Sequence, residues 1–294
     1  MRAIALVLLL AVGCRPAADA AGAPVTVVYA GSLARIMEQR IGPAFSASCG
    51  CEYRGEGKGS VALANLIEAG LRSPDVFISA DTRVLDRLLH PRQRRPYIDG
   101  YTRFASARMI LGYSRRSRFA REFASAKAGK LSIARLLMTP GLRIGRTDPK
   151  LDPKGYRAIL TVLLAARYYR APALPRTLGD LENAEQIFPE ETLLVRLESG
   201  DLDVAFLYST ESAESFGSLE LPPQINLGDP ALAREYQRVR IRVGNTNYSG
   251  APILYALAIL KAAPNPPGAR SLVRYLLQGP GRALLQRSGM QLIL

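Results

Sequence analysis

Short apolar runs alternate with segments of helical periodicity along most of the chain. The apolar runs are typical of buried strands, and they cover residues 25–30, 75–80, 109–113, 142–145, 202–208 and 253–260. Apolar positions that recur every three to four residues predict helices over 33–41, 61–69, 81–89, 131–138, 152–169, 189–200, 269–277 and 281–287. Strands that alternate with helices predict an α/β fold with mostly parallel sheets.

Glycine and proline mark several of the expected helix boundaries. Gly42-Pro43 predicts the end of the first helix, and Gly200 predicts the end of a later one. Asp152-Pro153 predicts a helix start, because Asp caps the first free N–H groups and Pro fits the first helical position. This pair opens the longest predicted helix.

The first 23 residues have the pattern of an export signal. Arg2 precedes an apolar run over residues 3–12, which is shorter than the ~20 residues that span a bilayer and matches the apolar region of a signal peptide. The run ends in small residues before Cys14, as in a bacterial lipobox, so we expect Cys14 to be lipidated. The alternative is a plain secretory signal cleaved between residues 18 and 23. Both interpretations export the protein.

Composition narrows the function classes. The 294 residues are 48% hydrophobic and carry a formal net charge of +14, as in a folded protein of one large or two smaller domains. One His and three Cys exclude a zinc ribbon and leave little for a Ser-His-Asp hydrolase. The short basic run over residues 92–95 is a solvated loop on an exported protein, and we expect no nucleic-acid partner.

Cys49 and Cys51 are the remaining thiols. In an oxidising compartment they could persist as a disulfide, although a Cys-x-Cys ring is small and its geometry strained. The alternative is that the two thiols bind copper or zinc.

Small or acidic polar residues begin four of the predicted helices, at 30–32, 57–60, 152–155 and 190–191. Helix N-termini beyond the carboxyl ends of strands favour anions, because their N–H groups are unpaired and the dipole is positive there. Such residues are also common as caps that only stabilise a helix. From the residues alone, the chain is an exported α/β protein with a possible anion site.

At these positions the sequence resembles the substrate-binding proteins of molybdate/tungstate ABC transporters, specifically the archaeal-type tungstate/molybdate-binding branch. The resemblance covers residues 25–294, and its motifs lie at 29–33, 59–61, 75–81, 145–157, 202–209 and 221–227. It implies a two-lobed α/β clamshell of the periplasmic-binding-protein type II, with two crossover strands. Lobe I would hold residues 24–104 plus 248–294, and lobe II residues 105–247.

The resemblance also implies a ligand set, which comprises Gly31, Ser32, Ser60, Asp152, Pro153, Lys154, Glu190 and Tyr208. In this branch, two carboxylates add oxygens to the metal of the oxyanion and make it six-coordinate. Asp152 and Glu190 match those two positions. A one-residue gap in the match would move the role of the second carboxylate to Glu191. Carboxylates repel a dianion but suit the electron-poor metal itself. The alternatives are that Asp152 is only a helix cap and that Tyr208 only ends a strand.

The function that the resemblance implies is that of a binding module. The protein would be an exported, lipid-anchored monomer that delivers tungstate or molybdate to an ABC permease in the cytoplasmic membrane, with no cofactor and no catalysis. The net charge, with Lys58, Arg146, Lys154 and Arg157, would draw an anion to the cleft. The alternatives are a sulfate, phosphate or ferric-iron binder on the same fold, or an exported enzyme with Asp152 and Glu190 as an acid/base pair.

Overall fold

Strands in the computed structural model, which describes residues 22–92 and 94–293, form two mixed sheets and one hairpin. The strands are β1 Val25–Ala30, β2 Tyr53–Lys58, β3 Val76–Ser79, β4 Thr102–Ala107, β5 Met109–Tyr113, β6 Ile144–Gly145, β7 Val204–Tyr208, β8 Gly217–Glu220, β9 Arg240–Val243, β10 Thr246–Ser249, β11 Ile253–Ile259 and β12 Gln291–Leu292.

Helices follow most of these strands. They are α1 Ala34–Ile36, α2 Gly42–Cys49, α3 Ser60–Glu68, α4 Thr82–Leu89, α5 Ala120–Lys127, α6 Ile133–Leu137, α7 Pro153–Tyr168, α8 Glu190–Ser199, α9 Ala233–Tyr236, α10 Pro266–Leu277 and α11 Pro280–Arg287. Short 3₁₀ turns cover Gly31–Leu33, Leu174–Leu178, Ser209–Glu211 and Pro230–Leu232.

The large sheet has the strand order β12-β4-β11-β3-β1-β2. Its centre is apolar because β1 and β3 are buried on both faces. β1 runs parallel to β2 and β3, so these three strands end at one edge. The residues that follow them, including Gly31, Ser60 and Asp81, are therefore brought to the same edge.

The small sheet has the order β6-β7-β5-β8. β6 runs parallel to β7, whereas β5 is antiparallel to both β7 and β8. The loop after β6 leads to the N-terminus of α7, and the turn Ser209–Glu211 follows β7 directly. Both segments therefore leave the same edge of the small sheet.

The chain passes between the two sheets at Arg108, between β4 and β5, and returns through the β9–β10 hairpin to β11. Two backbone hydrogen bonds tie these passages to one loop: Met109 N–H donates to Asn226 O at 2.7 Å, and Ile253 N–H donates to Leu227 O at 2.8 Å. The lobe boundaries that the sequence suggested, 24–104 with 248–294 and 105–247, stay a prediction.

Two expectations about elements were wrong. The sheets are not mostly parallel, since β11 pairs antiparallel with β3 and β4 and β5 does so with both its neighbours. Gly42-Pro43 does not end the first helix: a π-helical turn at Met37–Ile41 leads into α2, and Pro43 is the second residue of α2. The missing N–H of Pro43 therefore falls at the junction where the hydrogen-bond pattern changes from π-helical to α-helical. The helix ends at Gly50, whose φ of +62° suits glycine.

Three sequence features outside the sheets can also be placed. Cys49 and Cys51 are joined by a disulfide at the end of α2. Cys14 lies outside the described residues. Within residues 22–92 and 94–293, no helix combines the length and apolar character that crossing a membrane requires.

Candidate functional site

Three helix N-termini and one 3₁₀ turn meet between the two sheets. The turn at Gly31 and the start of α3 come from the large sheet, and the starts of α7 and α8 come from the small-sheet side. Gly31 N–H donates to Glu190 Oε2 at 3.1 Å, and Ala62 N–H donates to Leu151 O at 3.0 Å. The contacts are therefore made across the gap between the sheets.

Glycine permits two of these close approaches. A Cβ on Gly31 would lie 2.4 Å from Glu190 Oε2, and a Cβ on Gly59 would lie 2.5 Å from Leu151 O and 3.0 Å from the Cβ of Asp152. A side chain at Gly59 would meet a backbone carbonyl and hold the two sides apart, whereas one at Gly31 would displace the end of the Glu190 side chain. At these two positions the missing side chain allows one side of the protein to approach the other closely.

Lys154 lies at the centre of the site and is fully buried. Its Nζ donates to Glu190 Oε1 at 3.0 Å and to Glu211 Oε1 at 2.6 Å. Glu211 in turn accepts a hydrogen bond from the backbone N–H of Tyr208 at 2.8 Å. One ammonium group therefore pairs with two carboxylates, and that chain of contacts reaches the end of β7.

Asp152 is a helix cap and has a second oxygen left over. Its Oδ1 accepts the N–H of Lys154 at 2.9 Å, which caps α7. Its Oδ2 is buried and makes no hydrogen bond within the described residues, although the nearby hydroxyl of Thr147 lowers the pKa of this carboxyl. An unpartnered buried carboxylate oxygen is costly unless something else accepts its lone pairs. The cap and the ligand interpretations of Asp152 are thus compatible, because each uses a different oxygen.

Burial is the largest single influence on the pKa values of Asp152, Lys154 and Glu190. Burial, together with the charge of the neighbouring Asp152, raises the pKa of Glu190 to about 7 against the opposing effect of Lys154. Burial also raises the pKa of Asp152, although Lys154 opposes the shift. For Lys154, burial alone would lower the pKa, but the carboxylates of Glu190 and Glu211 outweigh it and raise the pKa well above its usual range. The ammonium is therefore held charged.

The three predicted hydroxyl donors lie around this cluster. Ser32 Oγ is 2.8 Å from Tyr255 OH, and Ser60 Oγ accepts the N–H of Ala80 at 3.2 Å. Tyr208 OH accepts a hydrogen bond from Arg157 Nη1 at 2.8 Å. Because each hydroxyl can both accept and donate, Ser60 and Tyr208 keep their own protons for another acceptor.

Arg157 links this group to the large sheet. Its Nη1 also donates to Ala80 O at 2.7 Å, and its Nη2 lies 3.2 Å from Asp81 Oδ2. Tyr156 OH donates to the same carboxylate oxygen. Burial alone would raise the pKa of Asp81, but Arg157 and Arg83 hold it well below its usual range. Asp81 therefore stays ionised and anchors α7 to the edge of the large sheet.

The structure brings the predicted ligand set together. Gly31, Asp152, Lys154 and Glu190 are joined by direct hydrogen bonds or adjacency, and Pro153 is the buried first residue of α7. Ser32 follows Gly31 directly, Ser60 begins α3, and the ring of Tyr208 lies 5.8 Å from Lys154 Nζ. Glu190 lies inside the cluster. Glu191 lies outside it and pairs with Lys58 at 3.1 Å, where both side chains are exposed.

Sequence reasoning missed Glu211 and Tyr255, and it placed Asp81 only at the start of the helix predicted over 81–89. Asp81 does cap α4, through the N–H of Arg83. For Glu211 a signal was present: it stands three residues after Tyr208, the spacing at which an acid returns to cap the backbone N–H at a helix start. Tyr255 gave no signal, because it lies inside an apolar strand that is distant in sequence.

Comparisons with known proteins agree with this architecture. A family model described as bacterial extracellular solute-binding protein matches residues 25–291. A putative ABC transporter molybdenum-binding protein of Haloferax volcanii is 32% identical over 79% of this chain and 71% of its own. A molybdate/tungstate-binding protein of Thermococcus kodakarensis is 28% identical over 81% of this chain and 72% of its own. The periplasmic molybdate-binding protein of Azotobacter vinelandii has a similar structure, with a TM-score of 0.60 at 17% identity, covering 92% of this chain and 99% of its own.

The fold is that of the periplasmic binding proteins, so the predicted fold class is confirmed. The chain belongs to the bacterial extracellular solute-binding protein family. This is a family of binding proteins rather than enzymes, which confirms that expectation and removes the acid/base interpretation of Asp152 and Glu190. The resemblance to molybdate/tungstate-binding proteins is confirmed by the relatives that carry those names.

Proposed function

We propose that this protein captures molybdate or tungstate outside the cytoplasm and delivers it to an ABC importer. Relatives named for these oxyanions support the ligand class. The meeting of three helix N-termini supports an anion, because each contributes backbone N–H groups and a positive dipole end. The oxyanion is cargo and not a cofactor.

The proposal includes direct ligation of the metal by Asp152 and Glu190, which makes the oxyanion six-coordinate. The observation that supports this ligation is the state of Asp152 Oδ2, which is buried and makes no hydrogen bond among the described residues. A site built only to hydrogen-bond a dianion gains nothing from such an oxygen, which would repel it. An electron-poor metal is the group that accepts oxygen lone pairs.

Ligation by Glu190 requires this side chain to exchange partners. Its two oxygens now accept from Gly31 N–H and from Lys154 Nζ. In the proposed complex these donors turn to the oxyanion, and a Glu190 oxygen reaches the metal. Lys154, which stays paired with Glu211 at 2.6 Å, offsets part of the charge that two carboxylates and a dianion bring together.

Calorimetry of the protein with tungstate, molybdate and sulfate tests the ligand. We expect 1:1 binding of both metal oxyanions and no heat from sulfate. Asp152→Asn keeps the capping oxygen and should weaken binding of both metal oxyanions by at least tenfold. The matched control is Asp148→Asn, whose carboxylate accepts the N–H of Lys150 at 2.8 Å; it should leave the affinity unchanged. Tight sulfate binding, or an unaffected Asp152→Asn, would contradict the proposal.

A variant and a matched control also test the role of the Glu190 carboxylate. Glu190→Gln is expected to lower the affinity for both metal oxyanions, while Glu191→Gln, on the exposed neighbour that pairs with Lys58, has no effect. X-ray absorption at the metal edge distinguishes a tetrahedral oxyanion from a six-coordinate metal directly. A tetrahedral spectrum in the bound protein would refute the ligation while leaving oxyanion binding intact.

Membrane attachment and the permease partner belong to the same proposal. We infer that Cys14 is the lipidated first residue of the mature chain and that the protein acts as a lipid-anchored monomer beside its permease. Cys14→Ala should move the protein from the membrane fraction to the soluble fraction. If the protein is soluble without the substitution, the plain secretory signal is the correct interpretation.

A further inference from the structure

Beside the proposed oxyanion site lies a pocket of about 480 Å³ whose charged lining residues are all arginines. They are Arg35, Arg40, Arg108 and Arg287. No acidic residue of the described chain lines this pocket. All four arginines are exposed, so a ligand can reach them from solvent. We call this feature the arginine pocket.

The arginine pocket is built from segments that are distant in the chain. Arg287 is the last residue of α11, and Ser212 follows the turn after β7. Arg40 lies in the π-helical turn Met37–Ile41, where backbone bonds join residues five apart, and Arg35 stands five residues before it. Arg35 Nη1 donates to Ser212 O at 3.3 Å. The pocket therefore lies where an element of the large-sheet side meets one of the small-sheet side.

Three of the four arginines have no acidic partner. Arg108 pairs with Glu220 through two bonds of 2.7 and 2.9 Å. Arg35 makes a single hydrogen bond, to a backbone carbonyl. Arg40 and Arg287 make no hydrogen bond or ion pair within residues 22–92 and 94–293. Most of the guanidinium N–H groups at the pocket are thus left to solvent or to a ligand.

Acidic residues close in sequence to the pocket do not neutralise it. Glu38 accepts a hydrogen bond from Tyr29 OH, and Glu211 pairs with Lys154. Glu214 is exposed and does not line the pocket. Like charges that gather without a counter-ion repel one another. An anion in the pocket would remove this repulsion.

We propose that the arginine pocket binds a soluble phosphate compound with more than one anionic group, such as a diphosphate. Guanidinium groups match phosphate oxygens in both geometry and charge, and a phosphate ester carries a charge of about −1.5 to −2 at neutral pH. The volume of 480 Å³ corresponds to roughly sixteen water molecules at ~30 Å³ each, which is room for more than one tetrahedral group. The pocket contains none of the proposed oxyanion ligands, so its occupancy does not depend on the proposed function.

Calorimetric titration of the purified protein with sodium pyrophosphate, orthophosphate and citrate tests the ligand class. The ionic strength is held at ~0.15 M to screen exposed charges, and no tungstate or molybdate is present. We expect saturable 1:1 binding of pyrophosphate, about tenfold tighter than that of orthophosphate, because the larger anion contacts more than one arginine. Equal affinity for citrate and pyrophosphate would overturn the assignment to phosphate. Absence of saturable pyrophosphate binding would overturn the site.

Adding a negative charge to the pocket locates the bound anion. Gln39 lines the pocket and is exposed, so Gln39→Glu changes its charge without disturbing the core. We expect this variant to weaken pyrophosphate binding by about tenfold. Gln237→Glu, at an exposed position outside the pocket, changes the net charge equally and should bind normally. Equal affinities of the two variants would place the anion elsewhere and refute the pocket.

Removing positive charge provides a second, independent comparison. Arg40→Gln combined with Arg287→Gln should weaken pyrophosphate binding by about tenfold or more, because charge-assisted bonds are lost. The matched control combines Arg121→Gln with Arg270→Gln, two exposed arginines outside the pocket. A similar loss in both double variants would show that only the net charge of the protein attracts the anion, and would refute the pocket.

Vesicles of phosphatidylglycerol distinguish a soluble phosphate compound from a lipid headgroup. We expect Gln39→Glu and Gln237→Glu to bind these vesicles equally, because attraction to a charged surface follows the charge of the whole protein. A loss of vesicle binding confined to Gln39→Glu would assign the pocket to a lipid headgroup and overturn the soluble ligand.

Discussion

At the scale of single residues, the site depends on how buried charges are paired. Lys154, Arg157 and Asp81 are each ionised and buried, and each has charged partners within hydrogen-bond reach. Such pairs add little net stability when compared with an apolar core, but removing one member leaves the other uncompensated. Single substitutions of these residues should therefore lower the free energy of unfolding strongly, and the effects of two such substitutions should not add.

Arg157→Met tests this coupling. We expect the free energy of unfolding to fall by ~3 kcal/mol, because the carboxylate of Asp81 then keeps only Arg83 as a cationic partner. In the Arg157→Met background, Asp81→Asn should cost less than it does in the unmodified protein. The measurement is urea unfolding of the four proteins of the cycle. Arg238→Met, which breaks an exposed pair with Glu235, is the control and should cost less than ~1 kcal/mol. Additive effects of Asp81 and Arg157 would contradict the coupling.

The pKa of Asp81 predicts a direction for the effect of pH. Because Arg157 and Arg83 hold this pKa below its usual range, the ionised carboxylate stabilises the fold above the unfolded-state pKa of ~3.9. That contribution is lost as the pH falls from there through the folded pKa. The stability difference between the unmodified protein and Asp81→Asn should thus be constant from pH 7 to about pH 5 and shrink below about pH 4. A difference that stays constant down to pH 3 would show that the charge of Asp81 is not responsible.

At the scale of elements, function depends on how closely the starts of α3 and α7 approach. Gly59 immediately precedes α3, and the loop before α7 lies against it, with Leu151 O accepting the N–H of Ala62 at 3.0 Å. This contact joins an element of the large sheet to one of the small-sheet side. In the proposed closure of the two sides on the ligand, this contact belongs to the closed arrangement, and it lies beside a proposed ligand residue, since a Cβ on Gly59 would be 3.0 Å from the Cβ of Asp152.

Gly59→Ala should interfere with that approach. The new methyl group would meet Leu151 O at 2.5 Å, and overpacking of this kind typically costs 1–3 kcal/mol. If this free energy opposes the closure of the two sides on the ligand, the affinity for tungstate falls by a factor between about five and a hundred. Gly100→Ala, at a glycine with open space around it, should bind normally in the same calorimetric titration. Equal affinities of the two variants would show that closure does not depend on this contact.

At the scale of the whole molecule, the net charge and the two-sheet architecture act together. The formal charge of +14 sets up a positive field that raises the encounter rate of a dianion without determining which dianion binds. We expect selectivity to arise at the proposed site, where groups from both sheets would contact the ligand. The association and dissociation rate constants of the ligand should therefore respond differently to salt.

We expect the association rate constant of tungstate to fall as ionic strength rises from low values to ~0.15 M, where exposed charges are screened beyond about 8 Å. The dissociation rate constant should change much less, because the buried site contacts are screened weakly. Stopped-flow measurement of both constants checks this. A salt effect confined to dissociation would mean that the field of the whole protein plays no part in capture.

The sequence by itself determined the α/β class, most of the helices and the candidate site residues, because hydrophobic periodicity and cap residues are local signals. Asp152-Pro153 predicted the start of α7 correctly for this reason. The motifs also located the positions that meet in space, although only the resemblance gave them a common role.

Only the tertiary structure decided strand direction, the continuation of the first helix through Pro43, and the partners of buried charges. Strand direction depends on how the chain crosses between the sheets, which no local pattern encodes. Glu211 joins Lys154 across 57 residues of sequence, and Nε and Nη1 of the buried Arg146 have no hydrogen-bond partner within the part of the chain that the structure describes. Each of these depends on contacts between segments that are distant in the chain, so their chemistry follows from packing and not from the residues alone.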